Sequence, residues 1–189
     1  ARTLGRRLLP FALILLILDT GIRPGEALSL QTRHVDLKYC QVTIPAESAK
    51  TRVSRTLPLS NVTVQAIAET IRVRHPQWGE GVPLFCSASG LPLKDEWSRR
   101  LAEYGQRLGM KIRPYDLRHS FALHYLRHGG NAFALQRTLG HEDMAMTRRY
   151  VALTDQDLRK VHSTASPVQA LVPERHRVRK AGKANIKHT

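Results

Sequence analysis

A run of eleven almost entirely apolar residues near the start of the chain, residues 8–18, most constrains how this sequence can fold. Arg6 and Arg7 precede the run, an order of charges that a secretory signal would also show. The residues that follow, Asp19 to Arg23, contain no small-residue cleavage site, and eleven residues are too few to span a bilayer. The run therefore predicts a helix buried in the core of a globular domain and ended by Gly21.

Proline, glycine and asparagine divide the rest of the chain into short elements. The pattern predicts a helix over residues 3–18, kinked or restarted at Pro10, and a β-hairpin from residues 39–44 and 53–59. The other predicted helices are 24–30 opened by Pro24, 62–74 capped by Asn61, 95–108, one opened by Pro114 and closed by Gly129-Gly130, one capped by Asn131 and ended by Gly140, and one carrying Tyr150. The expected fold class is α+β, mainly α-helical, with a small antiparallel sheet near the N-terminal side.

Charge limits the kind of partner. The chain carries 30 Lys and Arg residues against 15 Asp and Glu residues, a net charge of +15 at pH 7. This excess points to a polyanion, first of all nucleic acid, although an acidic membrane surface or ribosomal RNA matches the charge equally well. Cys40 and Cys86 form no CxxC spacing, so the sequence predicts neither a disulfide framework nor a cysteine zinc site, as suits a reducing cytoplasm.

Five short motifs carry the functional information, and their order and spacing are more specific than any one of them. They are TGIRPGEAL at residues 20–28, AKT at 49–51 with RTLPL at 55–59, YDLRHSFA at 115–122, LGH at 139–141, and Tyr150 nine residues after His141. From about residue 8 to residue 151 the set resembles the catalytic domain of the tyrosine recombinase (phage-type integrase) family.

The resemblance implies that six residues act on a DNA phosphodiester: Arg23, Lys50, Tyr115, Arg118, His141 and Tyr150. Tyr150 is the expected nucleophile, since a covalent enzyme intermediate conserves the energy of the broken bond. The planar forks of the two arginines can hold the charged phosphate oxygens in bidentate fashion without a metal. Lys50 is expected to protonate the leaving 5′-oxygen, and His141 to hydrogen-bond the phosphate.

Position 115 departs from the family pattern. The family commonly has histidine three residues before the second arginine, where it is assigned general-base or phosphate-binding work. Tyr115 can donate a hydrogen bond, but a phenol with an ordinary pKa of about 10 is a poor base near neutral pH. The residue that accepts the proton of Tyr150 is therefore left open.

Neighbours of the motifs have simpler interpretations. Glu26 is expected to be structural and to orient Arg23 across one helical turn, and His119 to be a buried packing histidine rather than a proton carrier. Lys38 and Arg52 are the alternatives to Lys50 as the acid. Tyr150 is distinguished from the other tyrosines by its position after the LGH motif and by its neighbours Arg148 and Arg149. The competing candidates for the nucleophile are Tyr39, Tyr104, Tyr115 and Tyr125.

Neither a metal nor another cofactor is expected. His124 and His128 lie four residues apart on one helix face, but no third ligand accompanies them. His141-Glu142 does not extend to HExxH, because position 145 is alanine.

The function predicted from these features is that of a site-specific DNA recombinase that works through a 3′-phosphotyrosine intermediate. Its source is left open between a phage, another mobile (integrative) element and a chromosome-dimer resolver. A type IB topoisomerase-like enzyme and a non-catalytic DNA-binding module remain alternatives. Residues 1–154 are expected to form the catalytic domain and residues 155–189 a C-terminal helix, over 155–162, and a basic tail; a core-binding domain is expected before Ala1. The resemblance implies double-stranded DNA as partner, a homotetramer on DNA during synapsis, and a cytoplasmic location without a membrane.

Overall fold

A computed structural model describes residues 2–154 of the chain, with side chains for residues 9–93 and 95–153. The described part is mainly helical. Its helices are α1 (Arg2–Thr20), α2 (Pro24–Ser29), α3 (Asn61–Arg72), α4 (Lys94–Arg107), α5 (Pro114–Arg127), α6 (Ala132–Leu139) and α7 (Met144–Thr154), and its strands are β1 (Val35–Asp36), β2 (Gln41–Ile44) and β3 (Arg55–Pro58). The predicted fold class is confirmed. The helix predicted over residues 155–162 lies outside the described residues.

Helix α1 is the central element of the core. Leu13, Leu16 and Ile17 are fully buried, as the apolar run predicts. The helix continues through Pro10 instead of restarting there. It ends at Thr20 because Gly21 adopts a left-handed conformation, with φ of +63°. A side chain at Gly21 would also collide with Phe121, whose ring lies 2.2 Å from the point that a Cβ would occupy.

The small sheet lies between α2 and α3 in sequence and has the antiparallel order β1-β2-β3. Val42 pairs with Leu57, and both are buried, which fixes the register of the predicted hairpin. Both strands are shorter than predicted: β2 starts only at Gln41, since Cys40 has a left-handed φ of 51°. Strand β1 was not predicted, because it is too short to show an alternating pattern.

One predicted helix cap is wrong by a residue. Ser60, not Asn61, caps α3, because the Ser60 backbone is extended and its hydroxyl accepts a hydrogen bond from the Thr63 amide at 3.4 Å. Asp19 holds Ser60 there by accepting a hydrogen bond from its amide at 2.8 Å. Asn61 is therefore the first residue of the helix.

Helices α5, α6 and α7 form a second apolar cluster around Phe121, Leu135 and Leu139. The predicted signals at both ends of α6 are confirmed. The side chain of Asn131 accepts hydrogen bonds from the amides of Phe133 and Ala134, and Gly140 ends the helix with φ of +62°. No helix within residues 2–154 is long and apolar enough to cross a membrane.

Candidate active site

Arg118 lies at the centre of the candidate site and is 4% exposed. Its guanidinium, on α5, donates to the carbonyl oxygens of Gly21 at 2.6 Å and Leu139 at 2.9 Å. These carbonyls lie at the C-terminal ends of α1 and α6, where the helix dipole favours a cation. Burial, together with the charges of Arg23 and Arg55, lowers the pKa of Arg118 to about 10, so it stays protonated near neutral pH.

Arg23 enters the same region from the residue just before α2. Its backbone is extended and Pro24 opens the helix, as predicted, so the side chain leaves the turn after α1. Its guanidinium donates to Glu26 Oε1 at 3.0 Å and to the Gly140 carbonyl oxygen at 2.9 Å. Backbone carbonyls at the C-terminal ends of α1 and α6 thus accept hydrogen bonds from Arg118, and the carbonyl of Gly140, just after α6, accepts one from Arg23.

Glu26 is the acidic partner of this arginine cluster. Its carboxylate is 3% exposed and accepts hydrogen bonds from Arg23 and, at 2.5 Å, from Arg55 Nη2. Burial alone would raise the pKa of the Glu26 carboxyl, but Arg55 and Arg23 outweigh it and bring the pKa below its ordinary value. The structure places Glu26 where it orients Arg23, the role that its sequence position predicts.

Arg55 has a role in the cluster that was not predicted from sequence. Besides Glu26, it binds the Thr138 carbonyl oxygen through Nε at 3.2 Å, so it ties β3 to the end of α6. The only sequence signal for this role was the fixed place of Arg55 at the start of the RTLPL motif.

His141 follows α6 and is 8% exposed. Its Nε2 lies 3.1 Å from Arg118 Nη2, and its Nδ1 lies 2.9 Å from Thr147 Oγ1. Because a guanidinium only donates, Nε2 accepts and the proton is assigned to Nδ1, facing Thr147. Burial and the charge of Arg118 lower the pKa of His141 to about 4, so the ring is neutral at pH 7.

Tyr150 lies on α7 and is 9% exposed. Its ring is stacked on that of His141, with centroids 6.4 Å apart and planes 8° apart. Its hydroxyl oxygen lies 2.6 Å from His119 Nδ1. Burial raises the pKa of Tyr150, and the charge of Arg118 only partly offsets this.

The prediction that His119 is buried is wrong. The His119 ring is exposed and faces α7, where it meets Tyr150. The physical reason is its position on α5: Arg118, Phe121 and Ala122 share the buried face at helical spacing, and residue 119 lies beside that face.

Lys50 and Tyr115 are not drawn into the cluster. Lys50 is exposed in the loop between β2 and β3, and Tyr115 is 54% exposed at the start of α5. Among the side chains that the structure describes, neither of these two forms a hydrogen bond or an ion pair. The loop that carries Lys50 leads directly into Arg55, so it ends at the edge of the cluster.

The cluster has the composition of an anion site. A guanidinium has five N–H donors. The protein takes up three of those of Arg118 and two of those of Arg23, so donors of both remain for a phosphate. In the described part of the chain no three His, Cys, Asp or Glu residues are grouped as metal ligands. The arrangement can bind a phosphoryl group beside a tyrosine hydroxyl.

Curated proteins similar to this chain include tyrosine recombinases XerC. The protein of Shewanella amazonensis is 31% identical over 159 residues, which are 82% of this chain and 53% of the relative. That of Vibrio parahaemolyticus is 32% identical over 160 residues, 82% of this chain and 51% of the relative. The chain spans about half the length of these relatives.

Solved structures share the fold. XerA recombinase aligns with a TM-score of 0.70 and 25% identity over 88% of this chain and 62% of that one. The catalytic domain of bacteriophage HP1 integrase aligns with a TM-score of 0.60 and 21% identity over 84% of this chain and 82% of that one. The model of the phage integrase family matches residues 7–157, which include every motif described above. The chain therefore belongs to the phage integrase family.

Proposed function

We propose that this chain is the catalytic domain of a site-specific DNA recombinase that cuts and rejoins DNA through a 3′-phosphotyrosine. The observation that carries the proposal is the placement of Tyr150, whose ring stacks on His141 and which lies near Arg118. Arg23 and Arg118 keep N–H donors that the protein does not use and that a phosphate can accept. The relatives named tyrosine recombinase XerC and the family match support it. So does XerH, a site-specific recombinase whose structure was solved bound to difH substrate and which aligns with a TM-score of 0.68 and 24% identity over 86% of this chain and 47% of that one.

The proposed reaction is a reversible transesterification. The Tyr150 oxygen attacks the phosphorus while Arg23 and Arg118 hold the non-bridging oxygens. A phosphotyrosine bond forms, the bond from phosphorus to the 5′-oxygen breaks, and Lys50 gives that oxygen a proton. Attack by the 5′-hydroxyl of a second strand reverses these steps and releases Tyr150. The bond energy is conserved, so no cofactor is consumed.

The proposed partner is double-stranded DNA, which the net charge of +15 supports. Residues 1–154 are assigned to the catalytic domain and residues 155–189 to its C-terminal extension. The family resemblance supports assembly of a homotetramer on two DNA sites and a core-binding domain in the full protein. It also supports a cytoplasmic location. The target sequence would then depend partly on contacts outside the catalytic domain.

Covalent capture tests the proposal without a known target site. The 189-residue chain would be incubated, with EDTA in excess, with duplexes that have a randomised core and a nick, so that the small cleaved fragment diffuses away. We expect DNA that partitions with protein into phenol, because the adduct is covalent. Capture only after magnesium or zinc is added would contradict the two-arginine mechanism, and no capture under any condition would favour a DNA-binding module. Relaxation of supercoiled DNA without exchange between two captured duplexes would favour the topoisomerase-like alternative.

Lys50→Ala should slow cleavage of ordinary DNA by about 10²- to 10⁴-fold, since the 5′-oxygen leaves poorly without a proton. A substrate with sulfur at the 5′-bridging position should restore the rate, because a thiolate leaves without one. The single-turnover rate of adduct formation on both substrates measures this. Lys38→Ala serves as the control, since Lys38 is also exposed but lies in the turn before β2. Equal impairment on both substrates would contradict proton donation by Lys50 and direct attention to Arg52.

Tyr115→Phe should slow adduct formation about tenfold at most. The exposed Tyr115 hydroxyl can add one neutral hydrogen bond to a bound phosphate, worth about 0.5–1.5 kcal/mol. Tyr115→His, which restores the commoner family residue, should keep or raise the rate. Tyr39→Phe, at another exposed tyrosine, is the control. A loss of several orders of magnitude in Tyr115→Phe would show that Tyr115 does more than donate a hydrogen bond.

A further inference from the structure

Proton removal from Tyr150 is the step for which the family pattern offers no residue here. The position that commonly holds histidine is Tyr115, whose ring is exposed at the start of α5 and makes no hydrogen bond within residues 2–154. Burial raises the pKa of Tyr150, so the phenol keeps its proton near neutral pH and needs a base in order to attack. A base must lie within about 3 Å of the proton that it takes.

The other basic groups of the cluster are committed elsewhere. His141 uses Nε2 to accept from Arg118 and directs its N–H at Thr147, so the neutral ring has no free lone pair on nitrogen. Glu26 is held between Arg23 and Arg55, and both arginines are cations.

His119 does have the required geometry. Its Nδ1 lies 2.6 Å from the Tyr150 hydroxyl oxygen, and the two ring centroids are 5.7 Å apart. Because α5 also carries Arg118, one helix presents the phosphate clamp and the histidine at adjacent positions. We propose that His119 is the general base that takes the proton of Tyr150, an inference that rests on the proposed function.

Proton transfer to His119 is balanced over one cycle of cutting and rejoining. Neutral His119, with its proton on Nε2, accepts the hydrogen bond of Tyr150 at Nδ1. As the Tyr150 oxygen bonds to phosphorus, its O–H bond breaks and the proton passes to Nδ1, which makes an imidazolium. The 5′-oxygen leaves with a proton from the general acid, Lys50. On rejoining, the imidazolium returns its proton to the Tyr150 oxygen as the phosphotyrosine bond breaks.

The surroundings favour the charged intermediate. The His119 ring is exposed, so water solvates the imidazolium. Asp116, one helical turn earlier on α5, is near enough for the two charges to interact: Arg113 and the charge of His119 offset burial and lower the pKa of Asp116. Two further groups lie at Tyr150: the charge of Arg118, on α5, acts on its hydroxyl, and the neutral ring of His141, before α7, stacks on its ring.

The test is the pH dependence of single-turnover adduct formation by wild type, His119→Gln and His124→Gln, the last a matched exposed histidine on the same helix. Glutamine can still accept the Tyr150 hydrogen bond but cannot carry the proton away. We expect the His119→Gln rate to fall about 10²- to 10⁴-fold with DNA binding unchanged. The pH profile of the rate should change only in His119→Gln, and His124→Gln should keep the wild-type profile.

A second arm separates proton transfer from positioning. Fluorotyrosine at position 150 has a more acidic hydroxyl and depends less on a base, so it should reduce the His119→Gln defect at least about tenfold. A slow His119→Gln enzyme that keeps the wild-type pH profile and gains nothing from fluorotyrosine would overturn the assignment, as would one as fast as wild type. If wild type itself forms no adduct, the proposed function fails, and that result differs from both.

Discussion

Tyr150→Phe is expected to bind DNA normally and to form no covalent adduct with it. Phenylalanine keeps the ring that stacks on His141 and fills the apolar cluster of Phe121, Leu135 and Leu139. Only the hydroxyl is lost, with a hydrogen bond worth about 0.5–1.5 kcal/mol, so the fold persists. The attacking oxygen is gone, and adduct formation should fall to the detection limit.

Mass spectrometry identifies the attached residue directly. Trypsin cuts after Arg149 and Arg159, so residues 150–159 form one peptide whose sole tyrosine is Tyr150. In the wild-type adduct this peptide should carry the nucleotide remnant. Tyr125→Phe is the matched control, because the Tyr125 ring packs against Phe121 at 5.5 Å in the same cluster, and it should form adduct at the wild-type rate. An adduct on another peptide, or any adduct in Tyr150→Phe, would place the nucleophile elsewhere.

Glu26→Ala is expected to cause the largest loss of stability among single changes in the cluster. It leaves the guanidinium groups of Arg23 and Arg55, 12% and 11% exposed, side by side without their carboxylate. Removing one partner of a buried ion pair costs about 3–5 kcal/mol of the free energy of unfolding. For a chain of this size the melting temperature should fall by about 6–20 °C. Arg23 also loses an anchor, so adduct formation at a temperature where the variant is folded should fall about 10²-fold.

Glu69→Ala is the control for this substitution. Glu69 also pairs with an arginine, Arg72, but the two side chains are 49% and 65% exposed, so the loss should be about 0–1 kcal/mol.

The pH dependence of stability gives a second check on the role of Glu26. The pKa of Glu26 lies below its ordinary value of 4.5 in the folded protein, so its contribution is complete above that pH and is lost as the pH falls through the folded pKa. The difference between wild type and Glu26→Ala should therefore narrow in acid. Equal melting temperatures for Glu26→Ala and Glu69→Ala would contradict this account.

The elements that could be predicted from sequence are those set by local rules. Gly21 and Gly140 end helices because they adopt left-handed conformations, and Pro24, Pro114 and Asn131 mark helix starts. His141 follows the helix that Gly140 was predicted to end, and Arg118 lies on the helix that Pro114 was predicted to open. Local preference was insufficient at Ser60 and Asn61, which are both good caps, since a contact with Asp19 decides between them.

The roles of Arg55 and His119 depend on tertiary contacts that leave no local pattern. Arg55 gains its function from the Thr138 carbonyl, 83 residues away, and His119 from Tyr150, 31 residues away on another helix. A histidine beside a buried arginine could equally have been packed inside. Whether His119 is buried in the core or lies at the surface against Tyr150 depends on how α7 packs against α5, and the sequence alone does not specify that packing.

On the proposed function, the hydrogen bonds that hold the arginines also limit the stage of synthesis and folding at which the chain can start to cut DNA. Arg118 binds Gly21 across 97 residues, and Arg23 binds Gly140 across 117. Contacts so distant in sequence close large loops, and they form late in folding because the entropy of loop closure opposes them. A chain still on the ribosome that ends before residue 140 has neither the Gly140 carbonyl nor Tyr150. On the proposed mechanism, an incomplete chain therefore cannot break a DNA strand that it is unable to rejoin.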